Sequence, residues 1–310
     1  PDDGAIWKFL AKEKVTVFGT SASYLNTIKS QGLCPGQNYD LSALRALSQT
    51  GSPLSEEGCA YVYQAIKSDI HFNSISGGTD INGCFAAGNP ISPVYPAELQ
   101  GPALGMKVKA YDGAGQAIYD QQGELVCEAA TPSMPLAFWN DPTGEKYRQA
   151  YFDVYPGVWR HGDFIVFHRD TGGITFYGRS DSVLKPSGVR IGTAEIYNVI
   201  DRIAEIADSL VIGQNWQGDQ RIILFVQLRE GQTWSDELCQ KIRQAIRTRA
   251  SPRHVPAVIL EAPDIPYTLN MKKVESAVSN IVNGRPVTNR DALRNPDSLH
   301  YYEQIVANLQ

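Results

Sequence analysis

The sequence predicts an α/β fold followed by a smaller α+β domain, and three observations carry that prediction. The first 75 or so residues alternate strand-like and helix-like segments. Residues 85–178 hold short strand signals between turns, with no strong helix among them. Beyond residue 181 come a helical apolar stripe, two apolar strands and a charged amphipathic helix. A length of 310 residues, 43% hydrophobic and 20% charged, is enough for about two domains with real cores.

Taken in order, Val15, Val17 and Phe18 predict a short strand, Gly19-Thr20-Ser21 a turn, and Ser21 to Ile28 a helix stopped near Gly32 and Pro35. Leu44 to Leu47 is strand-like and runs into Thr50-Gly51-Ser52-Pro53. Ser55 suits an N-cap, since its hydroxyl can accept from an orphan helix N–H; Cys59, Val62, Tyr63 and Ile66 then recur at helical spacing. Ile70 to Ser76 returns to a strand. Such an alternation points to a mainly parallel sheet, whose ligands bind in loops at the carboxyl ends of the strands.

The middle region predicts antiparallel strands at Met106-Val108-Ala110, Glu124 to Cys127, Phe164-Val166 and Ile174-Phe176, forming a small barrel or a second sheet. Asp112-Gly113 and Thr171-Gly172-Gly173 are its turns. After a boundary near Arg179–Ser182, which divides 1–180 from 181–310, Ile196, Val199, Ile200, Ile203 and Ala207 predict one helix over 193–207. Strands are expected at Arg221 to Leu228 and Ala257 to Leu260, with a helix between them at Ser235 to Arg249. Residues 284–310 form a tail ending in a helix around Ser298 to Leu309.

Composition excludes several functions. A net charge of -5 and a pI of about 5.6 leave no basic footprint for nucleic acid. The cluster Lys241, Arg243, Arg247, Arg249 and Arg253 suits a solvated helix face. No apolar run approaches the roughly 20 residues of a membrane span. Pro1-Asp2-Asp3-Gly4 has neither a signal peptide's basic start nor its apolar stretch, and the absence of an initiator Met points to a start inside a longer protein. Five cysteines without CxxC spacing predict reduced cytosolic thiols and no zinc site, hence a cytoplasmic location.

The most specific stretch is Tyr177 to Ile196, YGRSDSVLKPSGVRIGTAEI. It resembles the hinge motif of the adenylate-forming enzymes, G-R-x-D-x-x-(I/L)-K-x-x-G-x-R-I-x-x-x-E-I. Its Gly192-Thr193-Ala194-Glu195-Ile196 ending is typical of the acetyl- and acetoacetyl-CoA synthetase branch of the AMP-forming acyl-CoA synthetases. Upstream, Trp159-Arg160-His161-Gly162-Asp163 is similar to the family's (Y/W)-(R/K)-T-G-D, with His161 in place of Thr. Without the other motifs that stretch would read equally well as a hairpin turn. Ser76-Gly77-Gly78-Thr79-Asp80 resembles the x-x-x-T-E segment, and Gly51-Ser52-Pro53 the Gly-Glu-Pro loop. Pro266 to Glu275 resembles P-x-T-x-x-G-K-x-x-R, with Met271 for Gly and Glu275 for Arg. The likeness runs from Val15 to about Val282.

For fold, this resemblance implies the last part of the large adenylate-forming N-terminal domain, a mixed sheet with a small antiparallel barrel, followed by the mobile C-terminal domain. For function, it implies ligation of an acid to coenzyme A through an acyl-adenylate made from ATP, with release of AMP and pyrophosphate. Asp163 would accept from both ribose hydroxyls of AMP, and Arg179 would support the same ribose; a carboxylate suits a vicinal diol because it only accepts. Gly51, Ser52 and Pro53 would line the adenine, and Gly78 and Thr79 would approach a phosphate. Asp80, in place of Glu, would bind Mg²⁺ directly or through a water. Lys272 would close on the acyl carboxylate and α-phosphate, with Lys273 as the register alternative. Asp181 would be the hinge between the two half-reactions. Ser187 and Gly188 would then line the pantetheine tunnel, Arg190 would meet the phosphate, and Arg247 the 3′-phosphate of coenzyme A. Thr20, Thr50 and Gly77 are acyl-pocket candidates. Acetyl-CoA synthetases place a Trp where Gly77 stands, so acetoacetate is the expected acid, with other short or medium acids as alternatives.

One large piece of the family pattern is absent from the chain: the phosphate-binding loop that precedes these motifs. The missing N-terminal half of the same protein is therefore the expected partner, and the isolated chain is expected to be inactive. Two other readings remain at this point, an adenylation domain serving a carrier protein and a non-catalytic AMP-binding fragment.

Overall fold

A computed structural model describes residues 4–180, 182–189, 191–287 and 290–309. The chain divides into two compact units, Pro1–Phe176 and Tyr177–Gln310. No helix among the described residues is long and apolar enough to cross a membrane. All five cysteines are free.

The first unit opens on α1 (Ala5–Lys12), a helix absent from the sequence expectation; it buries Trp7 and Leu10 on one side. β1 (Val17–Ser21) leads into α2 (Ala22–Ser30), whose N-cap Ser21 accepts from Tyr24 N at 3.1 Å. After the single turn α3 (Pro35–Asn38), β2 spans Ala46–Thr50, two residues later than the expected start at Leu44. Leu44 sits instead in a turn, its N–H bonded to the Leu41 carbonyl, and is buried there. Ser55 caps α4 (Glu56–Tyr61) by accepting from Gly58 N at 3.2 Å, and one π-type turn, Val62–Ile66, carries the helix on to β3 (His71–Ser74). β1, β2 and β3 are parallel, in register Thr20↔Gln49 and Gln49↔Ser74. The expected strand through Ser76 is broken after Ser74: β4 (Ser76–Gly78) pairs antiparallel with β5 (Gly83–Ala86) in a separate hairpin.

The rest of this unit is a five-stranded sheet in the order β10-β9-β8-β6-β7. Its strands are β6 (Val108–Tyr111), β7 (Ala117–Ile118), β8 (Gln122–Cys127), β9 (Trp159–Phe167) and β10 (Ile174–Arg179), the last of which runs into the second unit. A short helix that the sequence did not announce, α5 (Glu145–Tyr151), precedes β9. Asp141 holds its first turn by accepting from Lys146 N and Tyr147 N, and Tyr147 and Tyr151 lie against Trp159.

In the second unit the expected helix over 193–207 is corrected. α6 covers Thr193–Ile200 only, and Ile206 opens β11 (Ile206–Trp216), an eleven-residue strand. Ile203 and Ile206 keep the helical spacing, but Ile206 to Trp216 finds backbone partners in β12 (Asp219–Leu228), and that pairing overrides the local period. α7 (Asp236–Arg249) and β13 (Val258–Glu261) follow, with β13 parallel to β12. α8 (Glu275–Val282) and α9 (Leu299–Ile305) complete the unit.

Both faces of this sheet are covered. Val211, Ile222, Leu224 and Val226 pack against Ile196, Ile200, Ile242 and Ile246 of α6 and α7. Leu210, Ile212, Ile223 and Phe225 pack against Val278, Leu299 and Tyr302 of α8 and α9. Two buried faces explain why β12 reads as a continuous apolar run rather than an alternation.

Candidate active site

Within the first unit, Thr20, Thr50 and the Gly51–Pro53 loop stand at the carboxyl ends of the parallel strands. Thr20 is the penultimate residue of β1, and Thr50 ends β2 beside Ser21. The Thr50 hydroxyl donates to the Ile75 carbonyl at 2.9 Å, which ties the end of β2 to the start of the glycine-rich hairpin. Gly51, Ser52 and Pro53 are exposed in the loop that follows, with Gly51 at φ 101°, a conformation that favours glycine.

Gly77 lies in close contact across its hairpin. A Cβ at this position would fall 1.9 Å from the Gly83 carbonyl oxygen and 2.8 Å from the Gly83-linked Cα of Cys84. The missing side chain therefore lets β4 pair with β5. Thr79 and Asp80 are exposed just beyond the strand. Asp80 Oδ2 accepts from the Tyr151 hydroxyl at 2.5 Å, and the Tyr151 ring stacks on Trp159 with centroids 3.7 Å apart. That partner was invisible in the sequence because α5 itself was.

The Trp159 to Asp163 motif is a bulged strand and not a hairpin turn. Val126 pairs with Arg160 and Glu124 with Phe164, so His161, Gly162 and Asp163 on β9 oppose Leu125 alone on β8. Gly162 takes φ 83° at the bulge. Bulges of this kind re-aim side chains beside active sites. His161 rests on the Phe85 ring at 4.5 Å between centroids, and its Cε1 lies 2.8 Å from where a Cβ on Gly78 would stand. Its Nε2 is 3.6 Å from Asp163 Oδ2. The two motifs, about 80 residues apart in the chain, are thus packed against one another, with the His161 ring close over Gly78.

In the second unit, Arg179 ends β10 and is exposed. Ser187 and Gly188 sit on a single 3₁₀ turn at φ 51° and 77°. The turn is held by β12, where Asp219 accepts from both the N–H and the hydroxyl of Ser187 and Gln220 accepts from Lys185 N. These bonds, with the Gln220 N–H foremost, hold the Asp219 carboxyl below its ordinary range. Arg247 is exposed in the last turn of α7. Asp181 and Arg190 lie outside the described residues.

Lys272 follows a tight turn whose base is closed by bonds from Thr268 N to the Lys272 carbonyl at 2.8 Å and from Lys272 N to the Thr268 hydroxyl at 3.1 Å. Met271 takes φ 59° here, a left-handed conformation that favours the glycine of the resembled motif. Neighbouring lysines differ sharply. Lys273 Nζ donates to Asp208 Oδ1 at 2.6 Å and to the Ser209 carbonyl at 2.7 Å, above the Tyr197 ring. Lys272 is exposed. Among the described residues one group of potential metal ligands converges, Asp120, His168 and Asp170, and Asp80 is not part of it.

No protein-family model matches the chain. The acetoacetyl-coenzyme A synthetase of Rhizobium meliloti (strain 1021) is 50% identical over 302 residues, covering 97% of this chain and 46% of its own length. The acetoacetyl-CoA synthetase of Gallus gallus is 44% identical over 306 residues, with 98% and 46% covered. The chain spans about half the length of the curated relatives it matches. Among solved structures, acetoacetyl-CoA synthetase from Streptomyces lividans superposes with a TM-score of 0.92 at 40% identity, over 100% of this chain and 48% of that one. An anthranilate CoA ligase in complex with anthranoyl-AMP gives a TM-score of 0.73 at 20% identity, over 88% and 51%, which speaks for the fold alone.

Proposed function

We propose, for a chain that belongs to the adenylate-forming enzymes and matches the C-terminal half of acetoacetyl-CoA synthetases, that the full-length protein is an AMP-forming acetoacetate–CoA ligase. The acetoacetate carboxylate attacks the α-phosphorus of ATP, the bond to pyrophosphate breaks, and acetoacetyl-AMP forms. The thiol of coenzyme A then adds to the acyl carbonyl, loses its proton, and AMP departs. The observation that carries this reading is the contrast between the two lysines: Lys273 is spent on packing, while Lys272 stands exposed on a clamped turn. An exposed cation on a supported turn suits a site where two anions must be brought together.

The remaining assignments rest on the same reading. Asp163 accepts from the ribose hydroxyls and Arg179 supports that ribose, while Gly51, Ser52 and Pro53 flank the adenine. Gly78 and Thr79 face the phosphates. Asp80 is one exposed carboxylate, which fits a Mg²⁺ ion held mainly by nucleotide phosphates and water. When bound, the ion would offset phosphate charge. Thr20, Thr50 and Gly77 border the acyl group. Asp181 serves as the hinge, Ser187 and Gly188 line the pantetheine path, Arg190 meets the phosphate in the second state, and Arg247 meets the 3′-phosphate of coenzyme A.

The test is AMP formation by the full-length protein with ATP, Mg²⁺, coenzyme A and a panel of acids, alongside Lys272→Ala. Acetoacetate is the expected preferred acid. The variant is expected to lose acyl-adenylate formation yet still convert supplied acetoacetyl-AMP. Absence of AMP with every acid would sink the reading in favour of a non-catalytic AMP-binding protein.

A further inference from the structure

We propose that Glu275 is a positioning residue that couples the Lys272 turn to the first residues after the expected hinge, so that the two move as one body. This rests on the reading of Lys272 as the adenylation lysine. Glu275 opens α8, three residues beyond Lys272. Its Oε1 accepts from the Tyr197 hydroxyl at 2.6 Å. The hydroxyls of Ser182 and Thr193 lie near enough to draw the same carboxyl downward through hydrogen bonding. One side chain thereby joins the segment next to residue 181, the first turn of α6, and the helix that carries the lysine turn.

The joint extends on both sides. The Tyr197 oxygen accepts from Val211 N on β11 at 3.0 Å. Lys273 spans the Tyr197 ring, 4.5 Å away, and pairs with Asp208. Tyr267, at the other foot of the lysine turn, donates its hydroxyl to Asp208 Oδ2 at 2.7 Å. Both feet of the turn are therefore anchored to β11, the Lys273 foot also lies over Tyr197 of α6, and Glu275 adds the link among these that reaches residue 182.

The chemistry requires an acceptor at this place. An ionised carboxylate only accepts and has room for about four hydrogen bonds, which matches three hydroxyl donors arriving from three segments. An amide offers one acceptor oxygen and presents two donors of its own, so it could serve the set in part. Arginine, which the resembled motif has here, accepts nothing. The change of residue type at 275 thus goes with this local set of donors.

The experiment measures the two half-reactions separately in the full-length protein: acyl-adenylate formation from acetoacetate and ATP, and AMP release from supplied acetoacetyl-AMP and coenzyme A. Glu275→Ala is expected to slow the first about 100-fold, the size of a 1 Å misplacement, and the second by no more than about 3-fold. Glu275→Gln should fall between. Equal slowing of both half-reactions, or of neither, overturns the proposal. If Glu275→Ala does not fold, Tyr197→Phe removes one donor and keeps the ring; it should slow the first half-reaction alone by about 3- to 10-fold. Amide exchange reads the same joint without turnover. Faster exchange over residues 268–272 in Glu275→Gln is expected, and unchanged exchange overturns the proposal even where the wild-type protein activates no acid. Failure of the functional reading shows separately, in the wild-type protein's own lack of AMP formation.

Discussion

Asp219 receives three hydrogen bonds from Ser187: its N–H reaches Oδ1 at 3.0 Å and Oδ2 at 2.9 Å, and its hydroxyl reaches Oδ2 at 3.0 Å. They offset a backbone at φ 51° and ψ 36°, a conformation that costs an L-residue about 1–2 kcal/mol. Asp219→Ala is expected to free the Ser187–Gly188 turn. In the full-length protein the KM for coenzyme A should rise about tenfold, the value of one charge-assisted hydrogen bond, with acyl-adenylate formation unchanged. Steady-state kinetics with coenzyme A varied checks this, and an unaltered KM would count against the tunnel assignment.

Asp80 should govern the need for Mg²⁺. Asp80→Asn is expected to raise the Mg²⁺ concentration for half-maximal adenylation about tenfold, since a neutral amide is a far poorer ligand. Tyr151→Phe keeps the stack on Trp159 and removes the donor to Asp80. Its effect should be smaller, with a stability loss of about 0.5–1.5 kcal/mol. Mg²⁺ titration at fixed ATP distinguishes the two, and an unchanged midpoint in Asp80→Asn would remove Asp80 from the metal assignment.

Gly77→Ala should break the β4–β5 hairpin. The added methyl would stand 1.9 Å from the Gly83 carbonyl oxygen, which neither strand can yield without losing its pairing. A cost of about 3 kcal/mol or more is expected in denaturant unfolding. An alanine variant as stable as wild type would contradict this close approach.

Met271 is strained at φ 59°. Asn tolerates that region, so Met271→Asn is expected to be neutral or to stabilise by up to about 1 kcal/mol. Met271→Val places a β-branched side chain there and should destabilise by more than about 1 kcal/mol. Thermal unfolding of both variants measures the difference, and a Val variant as stable as wild type would contradict the left-handed turn.

Burial raises the Glu275 carboxyl above its ordinary 4.5, even though Tyr197, Ser182, Thr193 and the Lys273 charge all pull it down. A raised carboxyl favours the folded state when protonated. Its contribution is therefore fully present below pH 4.5 and is lost as pH rises through the folded-state value. Glu275→Gln cannot titrate. The stability of wild type relative to this variant should consequently decline as pH is raised from 4.5, and a flat difference would contradict the shift.

Much of the fold was legible. Ser21 and Ser55 cap the helices that their positions announced, and α7 occupies the stretch that its amphipathic pattern marked. Gly78 ends a strand, and Ser187 and Gly188 sit in a turn, as glycine and serine at those positions suit. The misses share one cause. α1 and α5 are short helices whose apolar residues matter only because Trp7 meets the first core and Tyr151 meets Trp159. β11 carries spacing that serves a helix equally well until β12 supplies its partners.

The sequence by itself determined the likeness to adenylate-forming enzymes, the order of most elements, and the residue types that the proposed site would use. Tertiary structure alone decided which of two adjacent lysines is exposed, why Gly77 lacks a side chain, how β9 bulges to present Asp163, and which hydroxyls converge on Glu275. Capping, turn conformation and periodicity are set among residues a few positions apart, so they can be read along the chain. A bulge, a shared carboxylate and a close backbone approach depend on partners dozens of residues away, which only packing brings within reach.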